Sequence, residues 1–155
     1  HDIARASVTF GVRRFYVITP YEDQIELAQQ MIDHWTKGPG STINKDRKQA
    51  LELIRVEPDF EQAIACIQKE RGQPVVSIGT SARKTNGSIS IAELQNHLTK
   101  SASHLLVFGT AWGLADELIE QCDHMLDPIE GNSGYNHLSV RSAASIYLDR
   151  IINGR

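Results

Sequence analysis

Ser103-His104-Leu105-Leu106-Val107-Phe108-Gly109-Thr110-Ala111-Trp112-Gly113-Leu114 is the stretch on which the fold turns. Its first six residues, apolar from Leu105 to Phe108, form a run of strand length with no room for a helical period. Glycines follow at 109 and 113, and a helix is expected from about Leu114. Strand, glycine-bearing loop and helix, in that order, make the repeating unit of a parallel sheet with helical crossovers.

The same unit recurs on both sides. Upstream, Pro74 to Ile78 is a compact strand and Gly79-Thr80-Ser81-Ala82-Arg83 its loop. Ser90 with Glu93 then forms a capping box that opens a helix to about Lys100. Downstream, a short strand around Met125 to Pro128 runs into Ile129-Glu130-Gly131-Asn132-Ser133-Gly134-Tyr135. A long helix is expected from Asn136 to Ile152, ended by Asn153-Gly154.

Nearer the start, His1 to Gly11 reads as a short helix and Arg13 to Ile18 as a strand. Thr19-Pro20-Tyr21-Glu22 predicts a second capping box with proline in the first turn, continued by Ile25, Ala28, Ile32 and Trp35 at helical spacing. Gly38-Pro39-Gly40-Ser41 ends that helix, Asn44 to Ile54 forms another, and Asp59 caps one that Gly72 stops. The expected class is α/β, a mostly parallel sheet flanked by helices.

Composition narrows the function. A length of 155 residues fits one domain, able to bury roughly 68–70% of its unfolded surface without disulfides or metal. The net charge of −3 argues against strong stand-alone binding to nucleic acid and leaves room for a local basic patch. Cys66 and Cys122 have no CxxC or Cys/His ligand spacing and read as packing residues. No apolar run approaches a transmembrane helix and no signal peptide is visible, so no membrane partner and a cytoplasmic location are expected. The chain begins at His1 without Met, so a preceding N-terminal segment is expected. Asn86-Gly87-Ser88 is read as a turn.

The three loops after strand ends carry the candidate chemistry, because open α/β sheets bind ligands outside the carboxyl ends of their strands. Glycine there lets backbone N–H and C=O groups approach a ligand, although glycine turns also serve any α/β fold. The middle loop lacks GxGxxG spacing, and no GxxxxGK[ST] occurs, which disfavours dinucleotide and P-loop readings. Gly79-Thr80-Ser81-Ala82-Arg83 is not GxSxG, which disfavours a serine hydrolase. His1, His34, His97, His104, His124 and His137 show no ligand spacing, so no metal is expected. What remains is a cofactor held mainly by backbone groups.

Val107 to Leu114, followed by Asp127-Pro128-Ile129-Glu130-Gly131 and Tyr135-Asn136-His137-Leu138-Ser139-Val140-Arg141-Ser142-Ala143-Ala144, resembles the SPOUT methyltransferases. More closely, it resembles the bacterial group related to the C-terminal domain attached to tRNA guanine-N1 methyltransferase. Ile3-Ala4-Arg5-Ala6 with Phe10-Gly11-Val12 resembles the arginine motif of the ribose-methylating branch.

The resemblance covers nearly the whole chain. It implies one domain over 1–155, S-adenosylmethionine (SAM) as cofactor, a C-terminal trefoil knot and a homodimer with its site at the interface. It also implies that the first strand and the asparagine before the arginine motif belong ahead of His1. The acidic residue common in the middle loop of the ribose-methylating branch is replaced by Ala111-Trp112.

Methyl transfer needs little covalent help, since alignment of nucleophile and methyl carbon supplies roughly 7–11 kcal/mol. On the resemblance, Thr80, Ser81, Gly109, Gly113 and Leu114 hold the cofactor, together with Ile129, Gly131, Leu138 and Ser139. Core packing is the second reading for Leu114 and Leu138. Arg5, Asn136 and His137 are the catalytic candidates. Arginine stays protonated, so Arg5 reads as a fixed charge for an RNA phosphate or an ionised nucleophile, or else as a solvated helix residue. Asn136 is alternatively a helix cap. Trp112 and Tyr135 stack on a base or the cofactor, or pack in a core or interface. Arg13, Arg14, Arg83, Lys84, Lys45, Arg47 and Lys48 are candidate RNA contacts or a solvated face.

The last helix carries Val140, Ala143, Ala144, Tyr147 and Ile151 and also Ile146, Leu148 and Ile152, a stripe wider than one core-facing side needs, as a second subunit would explain. The expected function is SAM-dependent methylation of RNA, with tRNA as the substrate and guanine N1 or ribose 2′-oxygen as the target. The alternative is a catalytically silent SAM-binding dimer serving as an RNA-binding or assembly module. An α/β hydrolase is a distant third, without its nucleophile motif.

Overall fold

Parallel strand pairing separated by helices is present throughout the computed structural model, which describes residues 1–154. It is divided between two units, residues 1–66 and the chain from Ile67 onward. In the first unit, α1 (Asp2–Thr9) leads to β1 (Phe15–Ile18), followed by α2 (Glu22–Thr36), α3 (Gly40–Ile43), α4 (Lys45–Leu51) and β2 (Ile54–Glu57). β1 and β2 pair in parallel with Phe15 opposite Ile54 and Ile18 opposite Glu57. Ala4, Ile32, Ala50, Leu51 and Ile54 form the core of this unit, with Val8, Phe15 and Trp35 packed on it.

Two expectations fail here for local reasons. Tyr21 is extended (φ −91°, ψ 118°), which leaves Pro20 outside the helix, and α2 begins at Glu22 with no side-chain cap. The Thr19 hydroxyl instead donates to Gln24 Oε1 at 2.7 Å. The helix read over 44–54 is also shorter: Asn44 caps it by accepting from the Arg47 N–H at 2.8 Å, but it stops at Leu51 and the chain turns into β2.

α5 (Phe60–Arg71) carries the chain onward, with the Gln62 N–H donating to Asp59 Oδ1 at 2.7 Å and Gly72 in the left-handed region at φ +61°. The second unit then continues with β3 (Val75–Gly79), α6 (Ile91–His97), β4 (Ser103–Val107), α7 (Asp116–Gln121), β5 (His124–Met125) and α8 (Val140–Asn153). Its sheet has the order β4-β3-β5, all parallel, with Gly79 opposite both Val107 and Met125. α6 begins at the expected capping box: Ser90 Oγ accepts from the Glu93 N–H, and Glu93 accepts from the Ser90 N–H at 2.7 Å.

The core joins Ile78, Leu94, Leu126, Ile129, Tyr147 and Ile151. Each side chain of this size that is fully buried contributes about 1.5–3 kcal/mol. Among the described residues, no helix is long and apolar enough to cross a membrane.

Candidate active site

Because β4, β3 and β5 are adjacent and parallel, the three segments that leave their carboxyl ends emerge from one edge of the sheet. Thr80 and Ser81 open the β3–α6 loop, Gly109, Gly113 and Leu114 lie in the β4–α7 loop, and Ile129 to Ser139 lie between β5 and α8. The structure therefore collects every candidate cofactor residue, with Asn136 and His137, on loops from neighbouring strands. Arg5 belongs to the first unit, where it stands exposed on α1.

Each loop is fixed by identifiable bonds. Thr80 is buried, and its N–H and hydroxyl both donate to the Val107 carbonyl, at 3.0 and 2.9 Å, which ties the start of the first loop to the end of β4. The Ser81 hydroxyl accepts from the Arg83 N–H at 3.0 Å. In the β4–α7 loop, the Gly113 N–H donates to the Thr110 carbonyl at 3.0 Å, closing a tight turn with Ala111 at φ +50° and Gly113 at φ +96°. A Cβ at Gly109 would collide with the backbone of Gly113 and Leu114, so only glycine lets the turn fold back this closely. The turn projects Trp112 wholly into solvent, which removes its core reading.

The third loop corrects the expected start of the last helix. α8 begins at Val140, with Ser139 as its cap: the Ser139 hydroxyl accepts from the Ser142 N–H at 3.3 Å. Asn136 is therefore no cap. Its side-chain amide donates to the Ala82 carbonyl at 2.9 Å, tying the third loop to the first. Leu138 is 46% exposed, against its core reading, whereas Ile129 is buried among the core residues.

Further side chains brace the same edge. Asp127 accepts from the Ser88 hydroxyl, and Lys84 Nζ lies 3.6 Å from the same oxygen. The backbone of Ile89 brackets this segment, donating to the Met125 carbonyl at 2.8 Å and accepting from the Asp127 N–H at 2.9 Å. The Tyr147 hydroxyl donates to the Asp127 carbonyl at 2.8 Å, and burial pushes its pKa up to about 12.

At the other end of β5, Asp123 Oδ2 accepts from the Ser77 N–H at 2.7 Å and the Ser77 hydroxyl at 2.8 Å. The Ser77 backbone bond first, and its hydroxyl bond with it, hold the Asp123 carboxyl below its ordinary value against the opposing effect of burial. No composition or spacing signal marks these pairs.

Other candidates are engaged elsewhere. The Arg47 guanidinium sits 4.4 Å above the Trp35 ring, and Lys48 approaches Glu52 at 4.0 Å. An open concavity along α2, lined by Glu26, Gln29, Asp33, His34 and Lys37, lies in the first unit, away from any of the loops after β3, β4 and β5 in the chain, and its Lys37–Asp33 pair at 2.9 Å neutralises its one lysine. Among the described residues, no group of three or more His, Cys, Asp or Glu side chains is arranged to hold a metal.

Three glycine-bearing loops at one edge of a parallel sheet define an α/β protein built to hold a small ligand at the carboxyl ends of its strands. The family described as SAM-dependent RNA methyltransferase matches residues 1–153, and the chain belongs to that family. A tRNA (guanine-N(1)-)-methyltransferase of Oleidesulfovibrio alaskensis is 45% identical over 152 residues, covering 98% of this chain and 35% of that protein. The chain thus spans about a third of the length of that relative. A protein of Aquifex aeolicus is 34% identical over 154 residues, covering 99% of this chain and 75% of its own length. The SpoU methyltransferase AviRb of Streptomyces viridochromogenes, solved in complex with AdoMet, shares the fold with a TM-score of 0.61 at 19% identity, over 99% of this chain and 52% of that one.

Proposed function

We propose that the chain is a SAM-dependent methyltransferase of tRNA, acting on guanine N1 or a ribose 2′-oxygen. The observation that carries this reading is the convergence of the three loops after β4, β3 and β5 in a chain that belongs to the family over residues 1–153. tRNA as the substrate is supported by the name of the Oleidesulfovibrio relative. Single-domain function over 1–155 is supported by the extent of the family match. A cytoplasmic location follows from the proposed substrate.

The loops fit SAM. Nothing lies within 4 Å of where a Cβ would stand on Gly113, Gly131 or Gly134, so the backbone at these positions is open to a ligand. The buried Thr85 hydroxyl in the β3–α6 loop has no hydrogen-bond partner among the described residues. Thr80, Ser81, Gly109, Gly113 and Leu114 would hold the cofactor from two loops, and Ile129, Gly131, Leu138 and Ser139 from the third. When bound, SAM supplies a methyl group on an electrophilic sulfonium.

The protein's part is then to position rather than to react. Arg5 supplies a fixed positive charge for an RNA phosphate or an ionised acceptor. Asn136 holds its loop through the Ala82 carbonyl, and exposed His137 beside it meets the substrate.

The trefoil knot is supported by the SPOUT resemblance. A homodimer is supported by the apolar surface that α8 and its approach leave in solvent, Ile152 at 57% and Leu138 at 46% exposed. The test is transfer of labelled methyl from SAM to bulk tRNA. Incorporation is expected. A chain that binds SAM but labels no cellular RNA would be a silent binding module, and the enzymatic reading would fall.

A further inference from the structure

The loop between β5 and α8 displays two rings that no core claims. Tyr135 is 74% exposed, and its ring lies 5.3 Å from that of His137, centroid to centroid, at an angle of 47°. The residue between them is not loose: the Asn136 side chain is anchored on the Ala82 carbonyl at 2.9 Å. Arg83 and Lys84 directly follow that anchor, and both are exposed. Rings, anchor and cations therefore share one end of the sheet with the cofactor loops.

An aromatic side chain left in water forgoes the free energy of its burial, and a pair held on a braced loop keeps its faces ready for a partner. We infer that Tyr135 and His137 form a stacking shelf for an unpaired nucleobase of the RNA, with Arg83 and Lys84 meeting the phosphates beside it. This rests on the RNA methyltransferase reading and adds to it which part of an RNA the site accepts.

The chemistry selects a single-stranded base. An A-form duplex buries its base faces in the stack, whereas loop bases can be splayed onto aromatic rings. With a net charge of −3, the protein has no broad positive field to draw RNA in, so local contacts must carry the affinity. Lys84 keeps an acidic neighbour, Asp127 at 3.6 Å, but its side chain is 70% exposed and can reach a phosphate. A stacking face tolerates any base, which suits a shelf that grips a nucleotide without reading its edge.

The test needs no methyl transfer. The chain, saturated with S-adenosylhomocysteine, is titrated into a fluorescein-labelled RNA hairpin with a single-stranded loop and, separately, into a fully paired RNA duplex. Wild type should prefer the hairpin. Tyr135→Ala should weaken hairpin binding roughly tenfold, as loss of one stacked base does, and leave duplex binding unchanged. Tyr135→Phe, which keeps the ring face, should stay within about twofold of wild type. SAM affinity of both variants, by calorimetry, should stay within about threefold, which also shows that the loops are intact.

No preference for the hairpin, an equal loss on hairpin and duplex, or failure of phenylalanine to rescue would overturn the shelf. So would a large loss of SAM affinity in Tyr135→Ala, which would give the ring to the cofactor. Hairpin preference with no methyl transfer to any RNA would count against the enzymatic reading alone and keep the shelf.

Discussion

Replacing Gly109 by alanine tests the loop geometry most directly. The added Cβ would fall on the Gly113 carbonyl carbon and the Leu114 nitrogen. Both are backbone atoms, so no side-chain rotation relieves the clash. Either the loop stays closed under strain or the turn opens and loses the Gly113 N–H to Thr110 carbonyl bond of 3.0 Å. Strain of this kind costs about 1–3 kcal/mol. Opening forfeits one backbone bond, about 0.5–1.5 kcal/mol, and displaces Gly113 and Leu114 from the proposed cofactor edge.

The two routes divide one penalty between stability and affinity, and each 1.4 kcal/mol is about a factor of ten in a binding constant. Gly109→Ala should therefore lose about 1–3 kcal/mol in urea titration, bind SAM at least about tenfold more weakly by calorimetry, or both in proportion. Gly131→Ala is the stability control: it meets nothing within 4 Å and needs no positive φ, so its stability should change by less than about 0.5 kcal/mol. Wild-type stability together with wild-type SAM affinity in Gly109→Ala would refute the packing argument.

Three further outcomes are expected. If the charge of Arg5 acts in the transition state, as proposed, Arg5→Ala should leave SAM affinity within about threefold yet lower methyl transfer about a hundredfold or more. Arg5→Lys should restore little, and equal activity of wild type and Arg5→Ala would remove the assigned role.

Asp123, held below its ordinary pKa by Ser77, stabilises the fold fully above its unfolded value and loses that contribution as pH falls through the lowered one. Asp123→Asn should therefore cost about 1 kcal/mol at neutral pH, discounted for solvent exposure. The gap from wild type should close in acid, and a gap independent of pH would contradict the assignment. Sedimentation should give about twice the chain mass of 17.3 kDa, with Ile152→Asp shifting the protein toward monomer.

The parallel α/β plan was legible because its evidence is local. The strands at 75–79 and 103–107 are short segments rich in Val, Ile and Leu with glycine at or just after their ends, and the Ser90–Glu93 box contains both of its partners within one turn. β2 was hidden because Ile54–Glu57 is four residues long, follows a helix directly and is defined by pairing with Phe15–Ile18 far upstream. The failed box at Thr19 shows the same limit. The residue types were right, but one extended residue, Tyr21, took the proline out of the helix, and the hydroxyl found Gln24 instead.

The site divides along that line. Glycine after a strand is a local signal, and it located all three loops. What holds the loops in place is not local: Asn136 to Ala82, Ser88 to Asp127 and Ser77 to Asp123 join residues 54, 39 and 46 positions apart. A polar side chain bonding a distant carbonyl or carboxylate leaves no period in the sequence. Asn136 therefore read as a catalytic candidate or a helix cap rather than as the tie to Ala82, and the reading of Ser139 as a cofactor contact left its capping of α8 unseen.

These long-range bonds matter to function because the loops themselves have little apolar anchorage. Gly131, Gly134 and Trp112 contribute none, and Ile129 is the buried hydrophobic residue of the third loop. Each such bond contributes about 0.5–1.5 kcal/mol, and the Asn136 tie to the Ala82 carbonyl is what holds the loop carrying Tyr135 to Ser139 against the first loop. The β4–α7 turn is held differently, by close backbone contact of Gly109 with Gly113 and Leu114.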